Sequence, residues 1–388
     1  MSFVCKLSPS ESAKAVEDRR WLHQHAELSN QEFETTAYIE KEMSALGLEI
    51  FKPGKTGLIA VLKGAHDGPT LGIRADIDAL PLQELNDVPY KSQYDNVMHA
   101  CGHDAHGASL MAAARCLTAN RDKIRGTVKF VFQPAEEYFP SGGRMMIESG
   151  LLDDCDNFLG YHVMPYLPAG QYGVRSGALM AASCSINIDV YGVGGHGGMP
   201  HTAVDATVAA SSVLLNLQTF VSRELDPNHA LAMSIGTFHS GTAKNIISEH
   251  ARMEGTIRYF DLEEEEHFQT SLRRIAEHTA AALGARAEVE FVPGLSPVIN
   301  DERMTELAHT AAAAVLGEES VAGAERSAGC DDFCYYCEKK PSVYVIVGAG
   351  NKDKGIVFAN HNPRFDVDED CLTNAAQFVC QFVMDYCK

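Results

Sequence analysis

The run "MHACGHDAHG", Met98–Gly107, gathers His99, Cys101, His103, Asp104 and His106, whereas the other histidines are scattered along the chain. Packing alone asks for no such concentration of metal-capable side chains. A Cys-x-His step sets a thiolate and an imidazole close together on one loop, and zinc-like ions accept thiolate, imidazole and carboxylate donors. Downstream, "KFVFQPAEE" sets Glu136 and Glu137 side by side after an apolar run, "FLGYHV" brings His162 to the end of another, and "ANHNPRFD" carries His361. Two adjacent carboxylates cannot easily turn to the same ion, so one is expected to ligate and the other to move protons. A carboxylate beside a metal centre can take a proton from water attacking a carbonyl and return it to the departing amine. Cys101 is the candidate to bridge two ions. Singly, each residue has an ordinary reading: a buried thiol, an acidic helix start, half-buried histidines. Their shared position after apolar runs argues for chemistry.

The elements that must carry these residues alternate. Helices are expected around Ser10 to His23 and from an Asn30 cap to a Gly47 stop, with strands at "TGLIAVL", "TLGIRAD", "TVKFVF" and "NFLGYHV". Near-continuous apolar strands predict a sheet covered on both faces, and such sheets place ligands at the strand carboxyl ends. From about Ser183 the order becomes strand, helix, strand, strand, helix, strand, the βαββαβ ferredoxin-like unit. After "PGLSPVINDE" the α/β rhythm resumes with a helix, the apolar strand "PSVYVIVGAG" and a closing amphipathic helix. The expected fold is α/β: a larger discontinuous domain, 1–182 and 293–388, with a mostly parallel sheet between helices, carrying an inserted α+β ferredoxin-like domain, 183–292.

The 388 residues, 45% of them hydrophobic, can bury a core of that size. A formal net charge of −20 disfavours nucleic acid and anionic membrane surfaces and points to a small-molecule partner. Charged residues interrupt the N-terminal stretch too early for a secretory signal, and no run has the length of a membrane span. Eleven irregularly spaced cysteines read as reduced thiols in a cytoplasmic protein.

The motifs "RRWLHQHAELS", "GIRADIDALPLQE", "MHACGHDAH", "FQPAEE", "GYHV", "GGHGGMPH", "SGTAKNIIS", "GTIR", "DDF" and "HNPRFDVDED" follow one another along nearly the whole chain. In that order they resemble the co-catalytic, two-metal metallopeptidase-like amidohydrolases, in the branch of hippurate hydrolases, bacterial aminoacylases, acetyl-diaminopimelate deacetylases and plant indoleacetyl-amino-acid hydrolases. The resemblance implies that Cys101, His103, Glu137, His162 and His361 bind two divalent ions, Zn or Mn with Ni or Co as alternatives, and that Glu136 is general base and acid. It implies that the inserted domain is a lid, that His196 steadies the substrate carbonyl, and that Asn245 and Arg258 meet the substrate carboxylate. The implied substrate is an N-acyl amino acid; a homodimer through the lid is common among relatives, and the sequence leaves the oligomeric state open. Asp76, Asp104, His99 and His106 are expected to orient the ligands. The chain departs from the family pattern at Ala26, at Asp331 of "DDF" and at Ser248, none of them a proposed ligand. Two rival readings are a thiol hydrolase with Cys101 as nucleophile and a non-catalytic binding relative.

Overall fold

The computed structural model describes residues 6–388, so Cys5 lies outside the described residues. Two compact units divide the chain: one comprises residues up to Leu179 with Ile299–Glu325 and Asp332–Lys388, the other Met180–Val298 with Arg326–Asp331.

The first unit is built on an eight-stranded sheet. Its order is Glu49–Phe51, Leu58–Lys63, Arg125–Gln133, His66–Asp76, Asn157–Pro168, Ser342–Gly350, Tyr172–Val174 and Val321–Gly323. The central pairs are parallel. Leu71–Asp76 and every residue of Ser342–Gly350 are buried, as the unbroken apolar runs require of a sheet covered on both faces. The helices His103–Ala119 and Asp370–Tyr386 pack on this sheet within one core that includes Leu110, Leu117, Phe130, Tyr161, Val345 and Phe378. The mixed α/β expectation with a mostly parallel sheet is borne out. Among the described residues no helix is long and apolar enough to cross a membrane.

The N-terminal helix Pro9–Gln24 starts at a capping box, with Ser8 and Glu11 each accepting from the other's backbone N–H. The second helix differs from expectation. It spans Phe33–Ala45, and Asn30, with φ at 65°, is not its cap. The Glu27 carboxylate accepts instead from the N–H groups of Phe33, Glu34 and Thr35 at 3.1, 3.1 and 2.9 Å. A carboxylate reaching back from the preceding loop satisfies the same orphan donors that a local Asx side chain would.

The second unit carries a four-stranded antiparallel sheet in the order Leu231–Ser240, His250–Tyr259, Ala182–Tyr191, Arg286–Pro293. Along Ala182–Tyr191 burial alternates, and Ala182, Cys184, Ile186, Ile188 and Val190 face the helices Ala206–Thr219 and Glu264–Ala282 across a separate core. One face is therefore covered and the other is not. A two-stranded ribbon, Gly195–His196 with Ile246–Ile247, extends beyond the Tyr191 and His250 end of this sheet.

Candidate active site

The carboxyl ends of the central strands bring the polar motifs together. Asp76 closes its strand and Asp78 follows it, while Gln133 ends the next and leads into Pro134–Glu137. His162 was expected at a strand end, but its strand continues to Pro168; pairing to the central neighbour stops at Gly160, so His162 lies just past that edge. Cys101 sits one residue before Gly102, which adopts φ of 96° and opens the helix His103–Ala119. A Cβ at Gly102 would lie 2.4 Å from Val163 Cγ2, so only glycine permits this close approach. The backbone N–H of His361 donates to the carbonyl of Ala100 at 2.7 Å, which ties the distant loop bearing this ligand candidate to the Cys101 loop.

Two groups of potential ligand atoms meet at one sulfur. Cys101, His103 and His162 form one group and Cys101, Glu137 and His361 the other, with the atoms in each group mutually within 4.8 Å. Cys101 Sγ lies 3.3 Å from His162 Nε2, and His361 Nε2 lies 3.2 Å from Glu137 Oε1. A third group joins His103 to Glu136 and Glu137. All five residues expected to ligate are thus brought together, with Glu136 beside them.

The donor set fits divalent ions on two further observations. His103 Nδ1 is tied to Asp78 Oδ1 at 3.1 Å while its Nε2, buried, has no hydrogen-bond partner, the tautomer-fixing arrangement expected of a metal-binding imidazole. Burial pushes the Cys101 thiol up to about 12, and the nearby His103 does not offset this. A nucleophilic cysteine needs the opposite shift, which disfavours the thiol-hydrolase reading, whereas a bound cation would supply the charge that a buried thiolate requires.

Asp78 was not singled out from the sequence, yet it is the hub of the cradle. Besides His103 it accepts from the Glu137 backbone N–H at 3.0 Å and from Ser29 Oγ at 2.7 Å. Burial by itself would raise its pKa, but His103 and these donors bring it below the usual carboxylate range. Asp76 accepts from Arg74 and from His106 Nδ1, both at 2.5 Å, and lies 3.6 Å from His103 Nε2. His106 Nε2 in turn accepts from Val163 N at 2.9 Å, beside His162. These two residues lie directly behind the ligand candidates, Asp76 near His103 and His106 bonded to the backbone next to His162. Asp104 instead pairs with Arg19 and His23, and buried His99 has no hydrogen-bond partner on either ring nitrogen, so neither bonds a ligand candidate. Arg74 also reaches Asp332, which accepts from Gln133, Ser141 and the Gly143 N–H as well. Nothing local in the sequence marks contacts of that separation.

In the second unit His196 and Asn245 are exposed neighbours on the two-stranded ribbon, where Gly197 N donates to Asn245 O at 2.9 Å. Arg258 is not with them. It pairs with Ser183 at the far end of the sheet, eight residues from His250, about 26 Å at the rise of an extended strand. There it lines a cavity of about 670 Å³ with Arg223, Leu231 and Phe260.

The model of Peptidase family M20/M25/M40 matches residues 72–385. The chain belongs to this family. An N-acetylcysteine deacetylase of Bacillus subtilis is 41% identical over 373 residues, 96% of each chain. An N-acyl-L-amino acid amidohydrolase of Geobacillus stearothermophilus is 41% identical over 283 residues, covering 73% of this chain and 76% of its own. A crystal structure of a Bacillus subtilis protein, described as a dinuclear metal-binding peptidase of the M20 family, superposes with a TM-score of 0.87 at 37% identity, covering 97% of this chain and 98% of that one. The expectation of a two-metal metallopeptidase-like amidohydrolase is borne out at the level of the family.

Proposed function

We propose that this chain hydrolyses the amide bond of N-acyl amino acids, releasing a carboxylic acid and a free amino acid, with two divalent ions held by Cys101, His103, Glu137, His162 and His361. The observation that carries this reading is the meeting of two ligand groups at Cys101 with Glu136 alongside. The deacetylase and amidohydrolase relatives support the substrate class, and the dinuclear relative supports the metal count. The mixed thiolate, imidazole and carboxylate set suits Zn or Mn. When bound, such ions supply positive charge that polarises a carbonyl and acidifies water.

The chain's own residues do the rest. Glu136 takes the proton of the attacking water and delivers it to the leaving amine nitrogen. Glu137 cannot share that task because its backbone and carboxylate face Asp78 and His361. His196 donates to the carbonyl oxygen as charge grows on it. Asn245 and Arg258 hold the free carboxylate of the amino acid, and the second unit acts as a lid that excludes water.

A single small substrate cannot touch both Arg258 and the His196–Asn245 ribbon of one second unit across about 26 Å. This supports a homodimer in which one copy lends its ribbon to the other's site. Leu231–Ser240 is an edge strand of its sheet, and the adjacent helix exposes Val208 and Leu215, surfaces suited to such pairing. The ten described cysteines are all free thiols, which supports a cytoplasmic setting. The test is turnover of acetyl and benzoyl amino acids before and after chelation. Activity should vanish with chelator and return with Zn or Mn; activity that survives chelation overturns the reading.

A further inference from the structure

The catalytic turn Pro134–Glu137 is held in an unusual backbone conformation. Ala135, directly before Glu136, has φ of 50°, the left-handed region that side chains with a Cβ disfavour. Such a residue persists only where its surroundings over-determine it. Three contacts do so here. Glu32 Oε1 accepts from Ala135 N at 2.8 Å, Gly142 N donates to Ala135 O at 2.9 Å, and Glu137 N donates to Asp78. A Cβ at Gly142 would stand 1.6 Å from Pro134 O, so the approach from that side also depends on the absence of a side chain.

Of the three, Glu32 is the one with no other assignment. It is fully buried, it comes from the start of a helix more than a hundred residues upstream, and its Oε1 also accepts from Asn30 N at 2.9 Å. Its Oε2 is buried without a well-formed hydrogen bond, Thr56 being the side-chain donor close to the carboxylate, a costly arrangement for a residue whose only task is packing. We infer that Glu32 is a positioning residue for the hydrolysis, gripping the Ala135 N–H so that the strained turn aims Glu136 at the reacting water. Burial, with the nearby Asp78 charge adding to it, pushes the Glu32 carboxyl up to about 7, so a neutral amide in its place resembles a form the native group already visits. The inference rests on the assignment of Glu136 as the general base.

The consequences separate aim from mere stability. Glu32→Gln retains an acceptor oxygen, whereas Glu32→Leu has none and Glu32→Asp, one methylene shorter, cannot reach. With an N-acetyl amino acid as substrate, E32Q should keep kcat within about threefold of the native enzyme, while E32L and E32D should lose about thirtyfold or more in kcat with KM within about twofold. Metal content should stay at the native value in all three. Adding A135G to E32L should recover about three- to tenfold in kcat, because glycine enters the left-handed region without a steric penalty. That rescue is a result no general loss of packing would give. E32L or E32D with native kcat, or E32Q as slow as E32D, overturns the inference. So does an E32L enzyme that folds and holds metal but is not rescued by A135G. If E32L fails to fold, the E32Q and E32D pair decides. Glu136→Gln runs beside them: if E136Q retains native turnover, the assignment of the base falls; if E136Q is inactive and the Glu32 variants are native-like, only this inference falls.

Discussion

The two regions that hold the candidate site residues are built on opposite principles. In the first unit, Cys101, His103 and His162 are buried, and the residues behind them interlock: Asp78 joins His103 to the Glu137 backbone, while Asp76 joins Arg74 to His106. In the second unit, His196 and Asn245 are exposed at a short two-stranded ribbon, where His196 Nδ1 accepts from the Gly198 N–H at 3.0 Å. A cradle for highly charged ions has to be rigid before they arrive, since each buried carboxylate needs its partners in place. A residue that meets the substrate on closure can be left in solvent until then.

Glu136→Gln should have the largest effect and tests the cradle's division of labour. It keeps size and polarity but cannot accept a proton, so turnover should fall at least about a hundredfold with metal content and substrate affinity near native values. Kinetics beside metal analysis checks this. Loss of metal in the variant would exchange the roles of Glu136 and Glu137.

Cys101→Ser attacks the point common to both ligand groups. A serine hydroxyl stays protonated near neutral pH and bridges poorly, so metal affinity should fall by more than about tenfold and both ions should be affected together. Titration of metal-free protein with Zn or Mn reads this directly. Loss of one ion only would mean that the thiolate serves one group and not two.

How much of this contrast was legible in the sequence follows from the distances along the chain. The ligand candidates could be named because Cys101 and His103 lie in one loop, Glu136 and Glu137 are adjacent, and His162 follows an apolar run. The residues that brace them could not. Arg74 meets Asp332 across 258 positions and Glu32 meets Ala135 across 103, and no periodicity or spacing encodes such pairs. The start of the second helix was missed for a local reason instead: the capping carboxylate comes from Glu27, six to eight residues before the N–H groups it accepts from, and not from Asn30. His99 was drawn into the site by its place in the cluster, although its ring bonds nothing. In the second unit the βαββαβ order was plain from alternating patterns. The positions of His196, Asn245 and Arg258 at opposite ends of the sheet were not, because no motif states which end of a strand a residue will serve.

A smaller effect tests that separation. Removing Arg258 should weaken substrates with a free carboxylate by about ten- to a hundredfold and spare their carboxamides, as expected for a charged hydrogen bond. His196→Ala should lower turnover of both alike, by about 2–4 kcal/mol in barrier. Comparing N-benzoylglycine with its carboxamide across the two variants distinguishes them. If H196A and R258A chains, each impaired alone, regain activity when mixed and reassembled, the two ends serve different copies' sites; absence of recovery would overturn the site shared between two copies.

The last effect leaves turnover untouched, concerns stability, and separates the regions by pH. The Glu32 carboxyl, raised by burial from 4.5 to about 7 in the folded chain, holds a proton there that the unfolded chain has already released. Between those values the folded state binds more protons, so stability should fall as pH rises from about 4.5 to 7 and level off above. At one pKa unit per 1.36 kcal/mol the ionised carboxylate costs folding on the order of 3 kcal/mol above pH 7. Glu32→Gln does not ionise, so its advantage over the native protein should grow from near zero at pH 4.5 to that order at pH 8, read as a widening gap in melting temperature. Asn245→Ala, in the exposed ribbon, should show no such gap at any pH. A flat difference for E32Q would mean that Glu32 is ionised throughout and that the cradle, like the ribbon, carries no titration penalty.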